Sequence, residues 1–413
     1  MLDFHDYVCF GASGGKECMV IMKSLQIHRI YESIDVEIKN NSSYFFISDW
    51  DLDIDDEINI SRLINKSFVH GKKNIYNYFS ADESFESLKQ KVLDEINLTN
   101  FDTSNIAFSS NGTTAIFTIL LLLSQTAQNF LLFSPTYFLY TDILIYFKKT
   151  VYYYDSNNFQ DNNLKYLEYI LDNKSINVIV ITNPLFSIGK TIPIDYIEHI
   201  SKIAYEKGII VMIDGMFNNL VWRKKIDTLI PLEYLKIINR LKNVIYIDSL
   251  SKKLGLNGNK FSVLYGNKKP ISQFQNYQIY TMGSFTSSQI SMIEQLYTIE
   301  NKKNIINQLE ILKNKAQKVY KLIQTMVQGT DIKLYEADSG YFSCISIPKV
   351  YFKNKNDLQI FKILLKECNI ITLPLSIYHF NTKNNYVFRI NLLKSKIKIL
   401  NSINRILEFL NIL

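Results

Sequence analysis

The chain has 413 residues, of which 47% are hydrophobic, so it is long enough to bury a large domain and a smaller one. Its longest mostly apolar run, residues 115–123, falls well below the roughly 18 residues of a membrane-spanning helix. The net charge of +7 comes from dispersed lysines, which indicate a solvated surface rather than a nucleic-acid-binding face. The four cysteines lack metal-site or disulfide spacing, and the acidic start lacks a secretory leader; together they predict a cytoplasmic protein.

Strand-like and helical stretches alternate through the middle of the chain. Apolar runs lie near residues 105, 129, 149, 177, 209, 243 and 261. This alternation predicts an α/β fold whose large domain has a mostly parallel mixed sheet sandwiched by helices. From about Met292 onward, a long helix, short strands and a terminal helix predict a smaller α+β domain. We expect the large domain over 61–290 and the small domain over 291–413, with 1–60 joining the small domain or a partner subunit.

The first polar motif follows a predicted strand near residue 106. Asn111, Gly112 and Thr113 form a turn between this strand and an apolar helix. The start of a helix presents free backbone N–H groups, which can hold a phosphate group. Many helices begin in this way, so the motif alone is weak evidence.

Three further motifs follow the next predicted strands. Tyr137 lies in a Pro-x-aromatic segment, Asn183 follows the buried run 178–182, and Asp214 closes the run 208–213. A buried carboxylate needs a cationic partner, because an isolated one is costly and protonates instead. Asp214 therefore indicates a bound cationic group, and the alternative is a helix N-cap.

A lysine in a hydroxyl-rich turn follows the apolar run 244–247. Ser249, Ser251 and Lys252 form this turn, and a second cation, Lys260, lies eight residues further on. A primary amine at a strand end faces a crevice, where it can condense with an aldehyde while hydroxyls and a cation hold a phosphate. The alternative is an ordinary pair of surface lysines.

In their order and spacing, these motifs resemble those of the fold-type I pyridoxal-phosphate enzymes, the aminotransferase class I/II group, over roughly residues 75–395. The resemblance implies that Lys252 forms the Schiff base with pyridoxal 5'-phosphate. It implies that Tyr137 stacks on the cofactor ring, that Asn183 donates to its ring oxygen, and that Asp214 keeps its ring nitrogen protonated. The implied phosphate ligands are Asn111, Gly112, Thr113, Ser249, Ser251, Lys260 and a tyrosine from the neighbouring subunit, Tyr78 or alternatively Tyr76.

The chain departs from the family pattern at two positions. Phe217 stands where relatives commonly have a tyrosine that donates a second hydrogen bond to the ring oxygen. Lys260 replaces an arginine, which keeps the charge but loses the two-pronged geometry of a guanidinium.

Two residues are candidates for binding the substrate. Arg389, in a late strand-like run, occupies the family's carboxylate-binding position, and a guanidinium suits a carboxylate because it binds both oxygens. Trp50 lies where relatives have a loop that contacts the substrate, although core packing is the alternative.

The resemblance implies an aminotransferase that moves an amino group between an α-amino acid and a 2-oxo acid, in a homodimer with the site at the subunit interface. Decarboxylation, elimination, cyclisation or oxidation at the same imine is the alternative, which Phe217 favours. A cofactor-binding regulator without turnover is a further alternative, but no DNA-binding segment supports it. We expect no nucleic-acid, membrane or metal partner.

Overall fold

The computed structural model describes residues 30, 34, 44–51, 53, 85–96, 98–155, 161–382 and 384–411. Tyr76, Tyr78 and most of residues 1–60 lie outside this part of the chain. The first described strand is the short β1 (Phe45–Phe46). The strands of a large sheet follow: β2 (Ile106–Ser109), β3 (Asn129–Ser134), β4 (Thr150–Asp155), β5 (Val178–Thr182), β6 (Ile210–Asp214), β7 (Val244–Asp248) and β8 (Ser262–Gly266).

These seven strands form one mostly parallel sheet in the order β2-β8-β7-β6-β5-β3-β4. Strand β8 is antiparallel to both of its neighbours, β2 and β7, while the other pairs are parallel. The central strands are buried along their length, as expected of apolar, β-branched runs covered on both faces. The sheet confirms the predicted fold class.

Helices cover both faces of this sheet. The described helices of this region are α1 (Glu86–Leu93), α2 (Gly112–Leu123), α3 (Phe138–Tyr146), α4 (Asp161–Asn173), α5 (Ile194–Glu206), α6 (Leu232–Arg240), α7 (Leu250–Lys253), α8 (Lys268–Thr281), α9 (Ser287–Leu296) and α10 (Ile299–Val327). The apolar residues of α2, α3 and α8 pack in one cluster against the sheet, and those of α4, α5 and α6 pack in another. The result is a three-layer α/β/α arrangement. None of the described helices combines the length and the apolar character needed to cross a membrane.

A smaller antiparallel sheet follows the long helix α10. The elements are β9 (Lys333–Leu334), β10 (Phe342–Pro348), α11 (Asp357–Cys368), β11 (Ile370–Ile371), β12 (Leu373–Pro374), β13 (Asn385–Asn391) and α12 (Lys396–Phe409), with short 3-10 turns at Lys349–Phe352 and Leu375–Tyr378; a further 3-10 turn, Thr103–Asn105, precedes β2. The strand order is β12-β13-β10-β9. Strand β1 pairs in parallel with β11, so the segment 44–51 lies against this part of the chain. The domain boundaries at residues 60 and 290 stay a prediction.

The carboxyl ends of the parallel strands point to one edge of the large sheet. Strands β5, β6 and β7 end there at Thr182, Asp214 and Asp248. In sheets of this kind, the loops beyond the strand ends form the ligand-binding crevice. The polar motifs therefore converge, although they are far apart in sequence.

Candidate active site

A cavity of about 260 Å³ opens at this edge of the sheet. Its wall includes every predicted site residue except Arg389, which lies behind Trp50, and Tyr78, which lies outside the described residues. The predicted residues that line it are Trp50, Asn111, Gly112, Thr113, Tyr137, Asn183, Asp214, Phe217, Ser249, Ser251, Lys252 and Lys260. Their roles toward a ligand stay predictions.

Lys252 lies in this cavity on the short helix α7. The helix begins after Ser249, whose Oγ accepts a hydrogen bond from the backbone N–H of Lys252 (3.2 Å). The Lys252 Nζ contacts Asn257 Oδ1 at 3.3 Å. Burial, followed by the positive charges of Lys260 and Arg389, lowers the pKa of Lys252 to about 8. Its neutral, nucleophilic form is therefore well populated near neutral pH.

The neighbouring Lys253 has a different environment. Its side chain is buried, and its Nζ lies 2.6 Å from Asp248 Oδ1, at the end of β7. The hydroxyl of Tyr341 donates a hydrogen bond to the Lys253 carbonyl. The buried ion pair fixes the turn on the side opposite the cavity, so the structure distinguishes the reactive candidate from its neighbour.

Asp214 closes β6 at the floor of the cavity. Its Oδ2 accepts a hydrogen bond from the hydroxyl of Tyr140 (2.9 Å), and its Oδ1 accepts one from the backbone N–H of Met216 (3.1 Å). Burial raises the pKa of Asp214 to about 6, against the opposing effect of these hydrogen bonds. Both described donors are neutral, so the carboxylate is suited to pair with a cationic ligand group.

Tyr140 is a functional candidate that the sequence analysis missed. It lies in the same segment as Tyr137, three residues further on, and spacing of this kind brings side chains to one helix face. That spacing is the signal that could have identified it.

The start of α2 forms an open cradle beside Asp214. Asn111 caps the helix, because its Oδ1 accepts the backbone N–H of Thr114 (2.8 Å). A Cβ atom at Gly112 would lie 2.2 Å from Met216 Cε, the end of a flexible side chain, so a larger residue here would require only that Met216 move. The first backbone N–H groups of the helix have no partner within the helix and can bind an anion. The exposed Lys260 adds a positive charge at the rim.

Ser249 and Ser251 stabilise the turn around Lys252. Both Oγ atoms donate to the carbonyl of Phe261, at 2.7 and 3.0 Å. Each hydroxyl would have to exchange this partner before it could donate to a phosphate. Their phosphate-binding role stays a prediction.

Tyr137 and Asn183 lie on the wall above Asp214. Burial raises the pKa of Tyr137 to about 12. The amide nitrogen of Asn183 donates to the carbonyl of Ile192 (3.0 Å) and to the hydroxyl of Tyr234, which uses both of its protons. In this arrangement Asn183 has no proton for the ring oxygen that the sequence analysis assigned to it. Phe217 supplies none either, so neither position offers the expected donor.

Arg389 lies just behind the cavity on β13. It is fully buried, and its Nε and Nη2 both donate to the carbonyl of Ser48 (Nε to O, 3.0 Å). The guanidinium carbon lies 3.8 Å from the centre of the Trp50 ring, which covers it. Nη1 has no hydrogen-bond partner among the described residues. Because Nη1 is itself buried, a carboxylate can bind it, or the whole guanidinium, only after neighbouring groups such as Trp50 and Ser48 move.

The groups that line the cavity match the chemical groups of pyridoxal phosphate. An amine with a lowered pKa suits an aldehyde, a buried carboxylate with a raised pKa suits a protonated ring nitrogen, and a glycine-opened helix start suits a phosphate. Among the described residues, no cluster of histidine, cysteine or acidic side chains could hold a metal ion.

Comparisons with known proteins agree with this assignment. The family model described as aminotransferase class I and II matches residues 61–406. A 1-aminocyclopropane-1-carboxylate synthase of Solanum lycopersicum is 22% identical over 340 residues, which cover 78% of this chain and 71% of the relative. An aspartate aminotransferase of Sulfolobus acidocaldarius is 19% identical over 320 residues, which cover 76% of each chain.

Solved structures share the fold at low sequence identity. An aspartate aminotransferase from Thermotoga maritima superposes with a TM-score of 0.77 and 16% identity, covering 95% of this chain and 98% of the other. Cystalysin from Treponema denticola, which contains a pyridoxal 5'-phosphate cofactor, gives 0.75 and 15% identity, with 91% and 94% covered. The family match spans most of the chain, so the protein belongs to the aminotransferase class I and II family of fold-type I enzymes and has pyridoxal 5'-phosphate as its cofactor.

Proposed function

We propose that the enzyme is an aminotransferase that transfers an amino group between an α-amino acid and a 2-oxo acid. The observation that carries this proposal is the environment of Lys252, whose amine has a pKa of about 8 in the same cavity as Asp214. The bound cofactor supplies an aldehyde carbon for imine formation and a ring that accepts electrons from the substrate. Proton transfer and the binding of charged groups depend on side chains of the protein.

Lys252 would act first as a nucleophile and then as a proton carrier. Once displaced by the substrate's amino group, its Nζ would be a free amine beside the substrate. With a lowered pKa, this amine would be able to take the proton from the α-carbon and hold it for return on the cofactor side. Asn257 Oδ1 is within reach to orient the free amine, since it contacts Nζ at 3.3 Å.

Asp214 would keep a proton on the cofactor's ring nitrogen. A protonated ring draws electrons from the α-carbon more strongly than a neutral one, so the carboxylate must stay ionised. The hydrogen bonds from Tyr140 and Met216 favour the ionised carboxylate and oppose the effect of burial.

A second candidate function is a lyase or ring-closing reaction at the same imine. Two observations favour it: Phe217 and Asn183 offer no donor to the ring oxygen, and a tomato 1-aminocyclopropane-1-carboxylate synthase is among the relatives. An altered hydrogen-bond pattern at the ring oxygen would change the acidity of the imine, and with it the step that follows removal of the α-proton. Decarboxylation, elimination or oxidation would use the same lysine.

One experiment separates these functions. Purified holoenzyme is mixed with an amino-acid panel and a 2-oxo acid, and the products are identified. Amino transfer yields a new 2-oxo acid and a new amino acid, whereas the alternatives release carbon dioxide, ammonia or peroxide, or yield 1-aminocyclopropane-1-carboxylate. Absence of a new amino acid formed from the added 2-oxo acid would contradict the aminotransferase proposal, because elimination and oxidation also release 2-oxo acids.

A second experiment tests the covalent link directly. Borohydride reduction followed by digestion and mass spectrometry is expected to place a pyridoxyl group on Lys252. The Lys252→Ala variant is expected to lose the adduct, while the control Lys269→Ala, at an exposed lysine, keeps it. An adduct on Lys253 instead would refute the assignment.

We also propose that the enzyme works in the cytoplasm as a homodimer in which Tyr78 contacts the phosphate of the partner subunit's cofactor. Light scattering measures the oligomeric state. Weaker cofactor binding in Tyr78→Phe than in Tyr76→Phe would support Tyr78, and the reverse would assign the role to Tyr76.

A further inference from the structure

One side of the cavity is built from aromatic rings. Trp50, Phe186 and Phe342 all line it. The ring centre of Trp50 lies 5.2 Å from that of Phe342 and 5.9 Å from that of Phe186. Tyr378 supports Phe186 from behind, with ring centres 4.9 Å apart. We call Trp50, Phe186 and Phe342 the aromatic wall.

The aromatic wall lies where the side chain of a substrate would begin. Lys252 Nζ is 4.5 Å from the centre of the Trp50 ring, and the guanidinium carbon of Arg389 is 3.8 Å from it. A substrate with its amino group at Lys252 and its α-carboxylate directed at Arg389 has its α-carbon beside Trp50. Its side chain therefore meets aromatic carbon first.

Within the described part of a single chain, the charges that line the cavity leave no spare cation for a second carboxylate. Among the described residues these charges are Asp51, Asp214, Lys252 and Lys260. The proposed function uses Lys252 for the imine, Lys260 for the phosphate and Asp214 for the ring nitrogen. The charge that remains on the substrate side is Asp51, which follows Trp50 directly. An acidic side chain would face an acid and an apolar surface, and burying it there is costly.

A cationic side chain is also disfavoured at this wall. Trp50 already has two cationic groups against its ring, those of Lys252 and Arg389. A third cation would meet the repulsion of the buried Arg389, where charges are poorly screened, and Asp51 on the same side offsets only part of it.

We infer that the substrate is an α-amino acid with an uncharged apolar side chain, aromatic or aliphatic, which packs against Trp50, Phe186 and Phe342. This inference rests on the proposed function, because it assumes that an amino acid reacts at Lys252. It goes beyond that function by naming the substrate class and the residues that select it.

The first test compares kcat/KM between substrates. We expect kcat/KM for phenylalanine, leucine or methionine to exceed that for aspartate, glutamate and lysine by at least about 10-fold, since desolvation of a charge opposes binding at an apolar wall. A higher value for aspartate, glutamate or lysine would overturn the inference while leaving the proposed function intact. A protein that produces no 2-oxo acid from any of them would contradict the proposed function itself.

A series of variants tests whether the aromatic wall is what makes the enzyme prefer apolar substrates. In Trp50→Ala, the ratio of kcat/KM for phenylalanine to that for alanine is expected to fall about 10-fold, because only phenylalanine loses a packing surface. Both substrates carry the same α-carboxylate, so an indirect effect through Arg389 cancels in the ratio. Trp50→Phe is expected to restore most of the ratio.

Two further variants complete this series. Phe186→Ala is expected to lower the same ratio, whereas Tyr280→Ala, at a tyrosine that is 84% exposed, is the matched control and should leave it unchanged. An unchanged ratio in both Trp50→Ala and Phe186→Ala would overturn the inference.

Discussion

The two sides of the cavity differ in how the chain builds them. On the cofactor side, Asp214 is the last residue of strand β6, and Lys252 lies in the turn that follows strand β7. On the substrate side, Arg389 and Ser48 are joined by hydrogen bonds although 341 residues separate them. The comparison teaches that each cofactor-side group sits at the end of its own sheet strand, where a local motif marks it, whereas the substrate side depends on tertiary contacts that no local motif marks.

On the cofactor side, the substitution with the largest expected effect is at Asp214. In Asp214→Asn, we expect activity to fall about 10²–10⁴-fold, because a neutral amide cannot hold a proton on the ring nitrogen. The amide oxygen replaces only one of the two acceptor oxygens: it can keep the hydrogen bond from the backbone N–H of Met216, while the Tyr140 hydroxyl can turn to accept from the amide nitrogen, so the fold should be preserved. Steady-state rates and the absorbance spectrum of the cofactor measure the effect. Wild-type kcat in this variant would remove Asp214 from the chemistry.

Arg389 offers the corresponding test of the substrate side. Arg389→Lys is expected to raise KM about 30- to 1000-fold for an amino acid, and to change kcat less, because lysine loses roughly 2–4 kcal/mol of paired hydrogen bonding to the carboxylate. Arg240→Ala, at an arginine that forms an ion pair with Glu198 on the surface, is the control. An unchanged KM would show that the carboxylate binds elsewhere.

Trp50 reports whether the substrate side rearranges on binding. The chain has two tryptophans, Trp50 and Trp222, so Trp222→Phe leaves Trp50 as the single reporter. The Ser48 carbonyl occupies Nε and Nη2 of Arg389, and the Trp50 ring lies against the guanidinium, so we expect a carboxylate that takes two of these nitrogens to shift Trp50 as the site rearranges. We expect 3-phenylpropionate, which has no amine to react, to shift Trp50 emission to longer wavelength.

The control for this experiment is a direct measurement of binding. Calorimetry on the same Trp222→Phe protein gives the affinity for 3-phenylpropionate. Binding by calorimetry without a change in emission would mean that the carboxylate binds with Trp50 in place.

Sequence patterns predicted the large sheet well because each buried strand is a continuous apolar run that ends in a polar turn. They placed Lys252 and Asp214 in one cavity for the same reason. They did not foresee the hydrogen bonds that occupy Asn183, because Ile192 and Tyr234 reach it through the fold. Likewise, the exclusion of Lys253 from the cavity depends on a buried ion pair with Asp248, five residues earlier but on the end of β7.

The aromatic wall as a unit could not be predicted from the sequence. Trp50 was recognised as a candidate, but Phe186 and Phe342 were not singled out in a chain with 26 phenylalanines. Three separated segments supply the wall, and only their packing shows which of these rings face the cavity.

The smallest expected effect is on how the affinity for the cofactor varies with pH when the hydrogen bond from Tyr140 to Asp214 is removed. Its hydrogen bond stabilises the ionised form of Asp214, so Tyr140→Phe should raise the pKa of this carboxyl further above about 6. Pyridoxal phosphate with a protonated ring nitrogen pairs with the ionised carboxylate. We expect apo Tyr140→Phe and apo wild type to bind the cofactor equally above about pH 7.5, where Asp214 is ionised in both.

The two proteins should diverge as the pH falls. Once free Asp214 is protonated, binding must also ionise it, and this cost grows with its pKa. At about pH 5, Tyr140→Phe should therefore bind up to about 10-fold more weakly, which corresponds to a pKa rise of up to about one unit. Cofactor titration followed by absorbance at both pH values measures the difference. Equal affinities at about pH 5 would show that Tyr140 does not act through Asp214, and a difference of the same size at both pH values would indicate a general loss of packing.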